Sequence, residues 1–353
     1  VSGAPAARLP ESGRFDMSYL ALARKYRPET FADVVGQSPI TRTLRAAQRK
    51  GKLSHAYLFA GPRGCGKTTV ARLLAKALNC AETRDGDPCG RCEVCRGIAQ
   101  GTFLDVLEID AASHTGVDNV RELRDMAQYT PSAGHSRVFI IDEVHMLSKG
   151  AFNALLKILE EPPARVFFFF ATTEPNKVPR TVLSRCQRFD FRLIGPAELG
   201  ERLDQIARSE GHELTPAARR VLVSLAEGSL RDGISLLDQA LAACDETIDE
   251  EDLVALFGLV RSEVYIDLNA AILAHDAAAG LRLVDGLVGA GQSLDVFAGG
   301  MVANFRNLML LRIDPELAPA VGLATDLLAR LRAQAESWSV PDLLALLDRA
   351  IQY

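Results

Sequence analysis

From Met17 to about Leu193, short apolar runs alternate with stretches in which apolar residues return every three or four positions. Ala56–Ala60, Asp105–Ile109, Val138–Ile141 and Val166–Phe170 read as strands. The last two are unbroken apolar runs, which suits a parallel sheet covered on both faces. Helical periodicity marks Lys67 to Asn79, Val117 to Gln128 and Ala151 to Glu161, the last ended by Pro162-Pro163. Such alternation predicts a doubly wound α/β domain, a parallel sheet with helices on both faces.

After Gly195-Pro196 the strand pattern disappears, and Leu, Ala and charged residues recur at helical spacing. Residues 197–257 predict three or four helices, one starting at Thr215-Pro216 as Ncap and N1. Further helices are expected at 263–274, 279–288, 293–312 and 323–337. The acidic cluster Asp245–Asp252 reads as a solvated loop and helix start. The expected organisation is therefore an extension over 1–16, an α/β domain over 17–195, a small helical domain over 196–258 and an all-helical domain over 259–353. Residues 1–16 are rich in Ala, Pro, Ser and Gly, and Met17 precedes the first patterned segment, so they read as a disordered extension or an expression remnant.

A chain of 353 residues, 48% hydrophobic and 24% charged, can bury a real core. Its longest uncharged apolar run, Val166–Thr173, falls far short of the roughly 20 residues a membrane span needs, so no membrane role is expected. The net charge of −5 hides an asymmetry. Residues 1–195 carry 28 Lys+Arg against 20 Asp+Glu, and residues 196–353 carry 12 against 25. A basic half fits a polyanionic partner, and composition drift accounts for the same numbers equally well. Seven cysteines, an odd count, with four between residues 80 and 95, do not resemble an extracellular disulfide framework. No secretory h-region is visible, and the cytoplasm is the expected compartment.

Gly61, Pro62, Arg63, Gly64, Cys65, Gly66, Lys67 and Thr68, followed by Thr69, fit the phosphate-binding loop pattern between a predicted strand and a predicted helix. The glycines let consecutive N–H groups curl around phosphate oxygens, Lys67 reaches the β and γ phosphates, and the Thr68 hydroxyl ligates Mg²⁺. The strand ending at Asp142-Glu143 brings a carboxylate to the sheet edge beside the phosphates. Asp142 can hold the Mg²⁺ shell and Glu143 can polarise the attacking water, which favours nucleotide hydrolysis over binding alone. Cys80, Cys89, Cys92 and Cys95, spaced C-x8-C-x2-C-x2-C, suit a closed tetrahedral Zn²⁺ site, with iron–sulfur ligation as competitor. Arg185 in Ser184-Arg185-Cys186 and Arg231 in Gly228-Ser-Leu-Arg-Asp232 are possible γ-phosphate ligands, a role that spacing alone does not demand.

Together these motifs resemble the clamp-loader branch of AAA+ ATPases. Lys25-Tyr-Arg-Pro28, Val35-Gly-Gln37, the four-cysteine insertion, His145-Met-Leu147 and Leu155-Leu-Lys-Ile-Leu-Glu-Glu-Pro-Pro163 narrow the likeness to the gamma/tau family of bacterial DNA polymerase III subunits, over residues 17–353. The resemblance implies that Arg185 is an arginine finger acting on ATP in a neighbouring subunit and that Arg231 is sensor 2 of the lid. It makes Thr173 sensor 1, uncertain by one residue because Thr172 precedes it. Tyr26, Arg27, Pro28 and Val35 would line the adenine and ribose pocket, the cysteines would be a zinc module, and the helices after about 260 a collar. Implied partners are delta and delta-prime subunits, further gamma/tau copies, the sliding clamp, primed double-stranded DNA and the small subunits associated with single-strand-binding protein. The implied activity is ATP-driven opening of the clamp and its loading onto primed DNA during replication. Rival readings are a nucleotide-binding scaffold subunit and another AAA+ DNA-remodelling motor. Residues Ser113 to Arg124 are a candidate DNA-facing helix start. Members of the family usually continue past the collar into a tail that tethers helicase and polymerase, so a chain ending at Tyr353 is expected to be a truncated core lacking those contacts. The paired acids serve ATP, and any polymerase label would belong to the complex.

Overall fold

The computed structural model describes residues 21–113, 116–321, 323 and 325–352. The segment 1–16, read above as an extension, lies outside the described residues. Five strands, β1 (Ala56–Ala60), β2 (Val106–Asp110), β3 (Arg137–Asp142), β4 (Val166–Thr172) and β5 (Gln187–Asp190), form one parallel sheet in the order β2-β3-β4-β1-β5. β4 shows why this sequence makes a two-faced sheet. Phe168 and Phe170 pack with Val120, Leu123, Phe152 and Leu155 of the helices Val117–Ala127 and Lys149–Glu160. Phe169, on the opposite pleat, packs with Leu44, Val70 and Leu74 of the helices Ser38–Arg49 and Lys67–Asn79. Each of these three phenylalanines is fully buried, worth about 1.5–3 kcal/mol apiece.

The fifth strand was not legible in the hydrophobic pattern, because Gln187-Arg-Phe-Asp is mostly exposed and pairs only with β1 at the sheet's edge. Its anchor is Phe189, stacked on Tyr57 and Phe59. β2 starts one residue later than expected. Asp105 is buried before it and accepts the main-chain N–H groups of Ser132, Ala133 and Gly134.

Four helices follow the sheet, Pro196–Ser209, Pro216–Ala226, Leu230–Ala243 and Glu250–Phe257, packed around Leu203, Leu222 and Leu237. Thr215 caps the second of them through the Ala218 N–H, with Pro216 in its first turn. Asp249 and Asp252 form a capping box, which gives the acidic cluster its structural use. Residues Leu22–Lys25 form a short helix that joins this core through Leu22 before the chain continues into the sheet domain. Of the helices that follow, Ser262–Leu273, Leu294–Ile313, Thr325–Glu336 and Val340–Ile351 enclose a core with Phe305, Leu308, Leu331 and Trp338, while Ala277–Gly289 packs through Leu287 in a second cluster with Tyr265, Leu268 and Phe297. A buried amide network, Asn269 with Asn304 and Gln334, ties three of them together. Among the described residues, no helix is long and apolar enough to cross a membrane.

Candidate nucleotide site and metal module

Parallel register brings the functional strand ends to one edge, where Ala60 pairs with Thr172 and Asp190, and Asp110 with Asp142. Gly61 donates its N–H to the Thr172 carbonyl and starts the phosphate loop from there. Gly61, Gly64 and Gly66 all take positive φ, which lets the loop turn its N–H groups inward at no Cβ cost. Lys67, nearly buried, donates from Nζ to the carbonyls of Gly61 (2.9 Å) and Pro62 (2.7 Å). Thr68 Oγ1 donates to Asp142 Oδ2 at 2.6 Å. The Cys65 side chain is buried in the core, and its thiol donates to the Pro62 carbonyl of the same loop at 2.8 Å.

Glu143 follows in a left-handed conformation, φ 46° and ψ 45°, uncommon for a residue with a side chain. Its Oε2 accepts from Thr173, from the N–H at 3.3 Å and the hydroxyl at 3.1 Å. Thr172 is fully buried and its hydroxyl faces His145 Nδ1 at 2.9 Å. The alternation of β4 thus separates two adjacent threonines, and only Thr173 meets Glu143.

The cleft at this edge has a volume of about 610 Å³. Tyr26, Arg27, Pro28 and Val35 line one side, Arg63 to Thr69 the floor, Asp142 and Glu143 the far wall, and Arg231 enters from the helix Leu230–Ala243. Burial, then repulsion from Arg72, with Arg231 and Arg24 acting the same way, pushes the Arg27 guanidinium below its usual value. That crowding of cations is the electrostatic complement of a polyphosphate. Arg185 is not among the lining residues. It donates to Glu160 (2.7 Å) and to the Thr181 carbonyl (2.7 Å) on the outer surface.

Sequence reasoning missed Arg24, Arg72, Glu108 and the segment Ala99–Gly101, which also line the cleft. Arg72 was within reach: it lies one helical turn beyond Thr68, on the same face. Glu108 accepts from Arg72 Nε at 2.5 Å and from Arg72 Nη2 at 2.6 Å.

Cys80, Cys89, Cys92 and Cys95 converge with all four Sγ atoms within 4.8 Å of one another. Two of the separations are 4.0 Å. Four thiolates at about 2.3 Å from one tetrahedral ion would lie roughly 3.8 Å apart, so the residues fit a single metal ion. Main-chain N–H groups point at the sulfurs: Glu82 and Cys89 at Cys80, Cys92 at Cys89, Cys95 at Cys92. Burial acts upward on Cys89, but the Cys92 and Arg91 N–H groups with the neighbouring thiols bring it down to about 6. Burial pushes Cys95 up. The module's helix, Glu93–Gln100, ends in the cleft wall, and Asp87 accepts the Phe31 N–H at 2.8 Å beside the adenine-side segment. Cys65, Cys186 and Cys244 stand apart from the cluster.

Residues 36–194 match the family model for DNA polymerase III, delta subunit, and residues 198–246 that for DNA polymerase III clamp loader subunit, ATPase lid domain. The DNA polymerase III subunit gamma of Buchnera aphidicola is 40% identical over 74% of this chain and 72% of its own length. The chain belongs to the DNA polymerase III gamma/tau family. The subunit tau of Bacillus subtilis is 46% identical over 85% of this chain and 54% of its own length, so the chain spans about half the length of such longer gamma/tau relatives. In fold, the RuvB branch-migration motor of Thermotoga maritima superposes with a TM-score of 0.50 at 18% identity, over 70% of this chain and 79% of that one. The likeness is one of fold, a parallel sheet flanked and followed by helices.

Proposed function

We propose that this chain is an ATP-hydrolysing motor subunit of a bacterial sliding-clamp loader, acting in the cytoplasm at the replication fork. ATP would lie in the cleft with its base between Tyr26, Pro28 and Val35 and its phosphates in the loop. Lys67 would exchange the carbonyls of Gly61 and Pro62 for β and γ oxygens. Thr68 and Asp142, 2.6 Å apart, would hold the Mg²⁺ that neutralises phosphate charge. Glu143, oriented by Thr173, would take the proton of the attacking water. Arg231 would reach the γ-phosphate from the lid and report nucleotide occupancy to it.

The observation that carries the reading is the position of Arg185. The cleft gathers Tyr26, Arg27, Lys67, Thr68, Asp142, Glu143 and Arg231, while this arginine sits outside it on Glu160. A half-buried arginine outside the chain's own cleft suits an ATP bound by the next subunit, so that hydrolysis waits for assembly. Exposed Leu281, Val288 and Leu294 on the C-terminal helices support a collar that joins copies to delta and delta-prime subunits. We assign the ATPase domain to 17–195, the lid to 196–258 and the collar to 259–353, and Zn²⁺ to the four thiolates, whose close spacing suits one ion better than a multi-iron cluster. The segment Ser113 to Arg124, part of which lies outside the described residues, is our candidate contact with the phosphates of primed DNA.

The test is ATP turnover by the chain mixed with delta and delta-prime subunits, with and without clamp and primed DNA, for wild type and Arg185→Ala. Stimulation by clamp and DNA that disappears in the variant is the expected result. An unchanged low rate in every condition would overturn the motor reading in favour of a nucleotide-binding scaffold.

A further inference from the structure

Beside the Glu143 carboxylate lies a side chain that the resemblance assigns no task. His145 is on the 3-10 turn Val144–Met146, directly after the strand that delivers Asp142 and Glu143, and its side chain is 6% exposed. Nδ1 stands 2.9 Å from Thr172 Oγ1 and 3.4 Å from Glu143 Oε2. Nε2 stands 3.3 Å from Glu174 Oε1. Glu174 is itself held by Lys177 at 2.8 Å and by its own N–H to the Thr172 hydroxyl at 3.0 Å. The ring thus stands between two carboxylate oxygens, with the Thr172 hydroxyl as the hydrogen-bond partner of Nδ1.

We propose that His145 is a positioning residue for the water-activating carboxylate, an imidazole strut that fixes Glu143 against the fixed end of β4. Both hydrogen bonds that the described residues make to this carboxylate, from the Thr173 N–H and the Thr173 hydroxyl, fall on Oε2, and His145 Nδ1 stands 3.4 Å from the same oxygen. Oε1 is left for the cleft that Glu143 lines. One oxygen pinned and one free is the arrangement that aims a base, because it fixes the carboxylate plane while sparing a lone pair for the proton. Thr173 alone fixes Oε2 from the β4 side. The ring adds a contact from the turn that follows Glu143, across the strained left-handed residue that would otherwise let the side chain swing. The strut ends on Glu174 and Lys177 at the surface, so it joins the reacting centre to a pair of charges about one side chain away from solvent.

This inference rests on the reading of Glu143 as the water-activating group, and the experiment separates the two. Steady-state ATP turnover is measured on the full chain with delta and delta-prime subunits, clamp and primed DNA, for Glu143→Gln, His145→Ala, His145→Asn and the double variant Glu143→Gln/His145→Ala. Asparagine keeps an amide donor at the position of Nδ1. The expected result is a roughly tenfold lower kcat for His145→Ala with KM within about twofold of wild type, and recovery to within about threefold in His145→Asn. Glu143→Gln is expected to be nearly inactive, with no further loss in the double variant. Unchanged kcat in His145→Ala beside an inactive Glu143→Gln overturns the strut and leaves the reading of Glu143 standing. Substantial activity in Glu143→Gln overturns that reading itself. A fall in kcat accompanied by a lower melting temperature, with no recovery in His145→Asn, makes the ring a packing residue and also overturns the strut.

Discussion

Gly64 of the phosphate loop lies so close beneath Ser229 of the lid that a Cβ placed on it would overlap the Ser229 hydroxyl, and would stand 3.3 Å from the Arg231 Cβ. The glycine also has φ +72°. Loop and lid are therefore in contact at the spot where a nucleotide's terminal phosphates would meet Arg231, and the absence of a side chain at position 64 is what permits it.

Gly64→Ala is accordingly expected to weaken binding of a fluorescent ATP analogue by at least about tenfold, because the added methyl both strains the loop and pushes the lid outward. Gly211→Ala is the comparison: φ +85° but open space around it. It should cost about 1 kcal/mol of stability and leave affinity unchanged. Equal affinities for wild type and Gly64→Ala would show that the lid contact is irrelevant to binding.

The two neighbouring threonines should separate cleanly. Thr173→Val removes the hydroxyl that meets Glu143, and we expect kcat to drop about tenfold or more with little change in thermal stability. Thr172→Val removes the acceptor for the Glu174 N–H in a fully buried position, which should cost about 1–3 kcal/mol. If Thr172→Val lowers kcat at full stability and Thr173→Val does nothing, the assignment of Thr173 is reversed.

Metal removal should be felt in the nucleotide cleft. The helix Glu93–Gln100 carries Cys95 and ends in the cleft wall at Ala99–Gly101. One zinc per chain is expected by elemental analysis, absent in Cys89→Ser. Because binding free energy at such a site is folding free energy, the variant's melting temperature should fall by about 5–10 °C, with weaker ATP-analogue binding. Loss of metal with an unchanged cleft affinity would show that the module and the cleft are independent.

How much of this was legible beforehand varies with what each residue does. β3 and β4 announce themselves because both faces are buried, so the apolar run is continuous. β5 does not, since an edge strand with one anchoring phenylalanine leaves no periodic trace. Lys67, Thr68, Asp142 and Glu143 could be singled out together because phosphate chemistry calls for those types in that order, and the structure brings them to one cleft; the four cysteines could be grouped because thiolates close in sequence can converge in space. The choice between Thr172 and Thr173 depended on strand register, which sequence does not print. Arg27, Arg72 and Glu108 form their cluster only when three separate elements meet at the cleft, and His145 acquires its partners only from the end of β4.

Asp105 makes the pH dependence of the sheet domain testable. Burial acts upward on its carboxyl and is the largest single influence, but the N–H groups of Ala133, Ser132 and Gly134, with Arg137, outweigh it and bring the group down to about 2 from an ordinary 3.8. A depressed carboxylate contributes stability that is complete above the unfolded-state value and is lost as pH falls through the folded one. The contribution here is about 2 kcal/mol, present above about pH 4 and fading toward pH 2. Asp105→Asn keeps the volume but turns an amide N–H₂ toward groups that need an acceptor. The variant should unfold at least about 2 kcal/mol more easily at pH 7, and this gap should shrink as the wild type is taken from pH 4 to pH 2. Urea unfolding of both proteins across that range checks it, and a gap of constant size down to pH 2 would show that the charge of Asp105 is not what holds the turn.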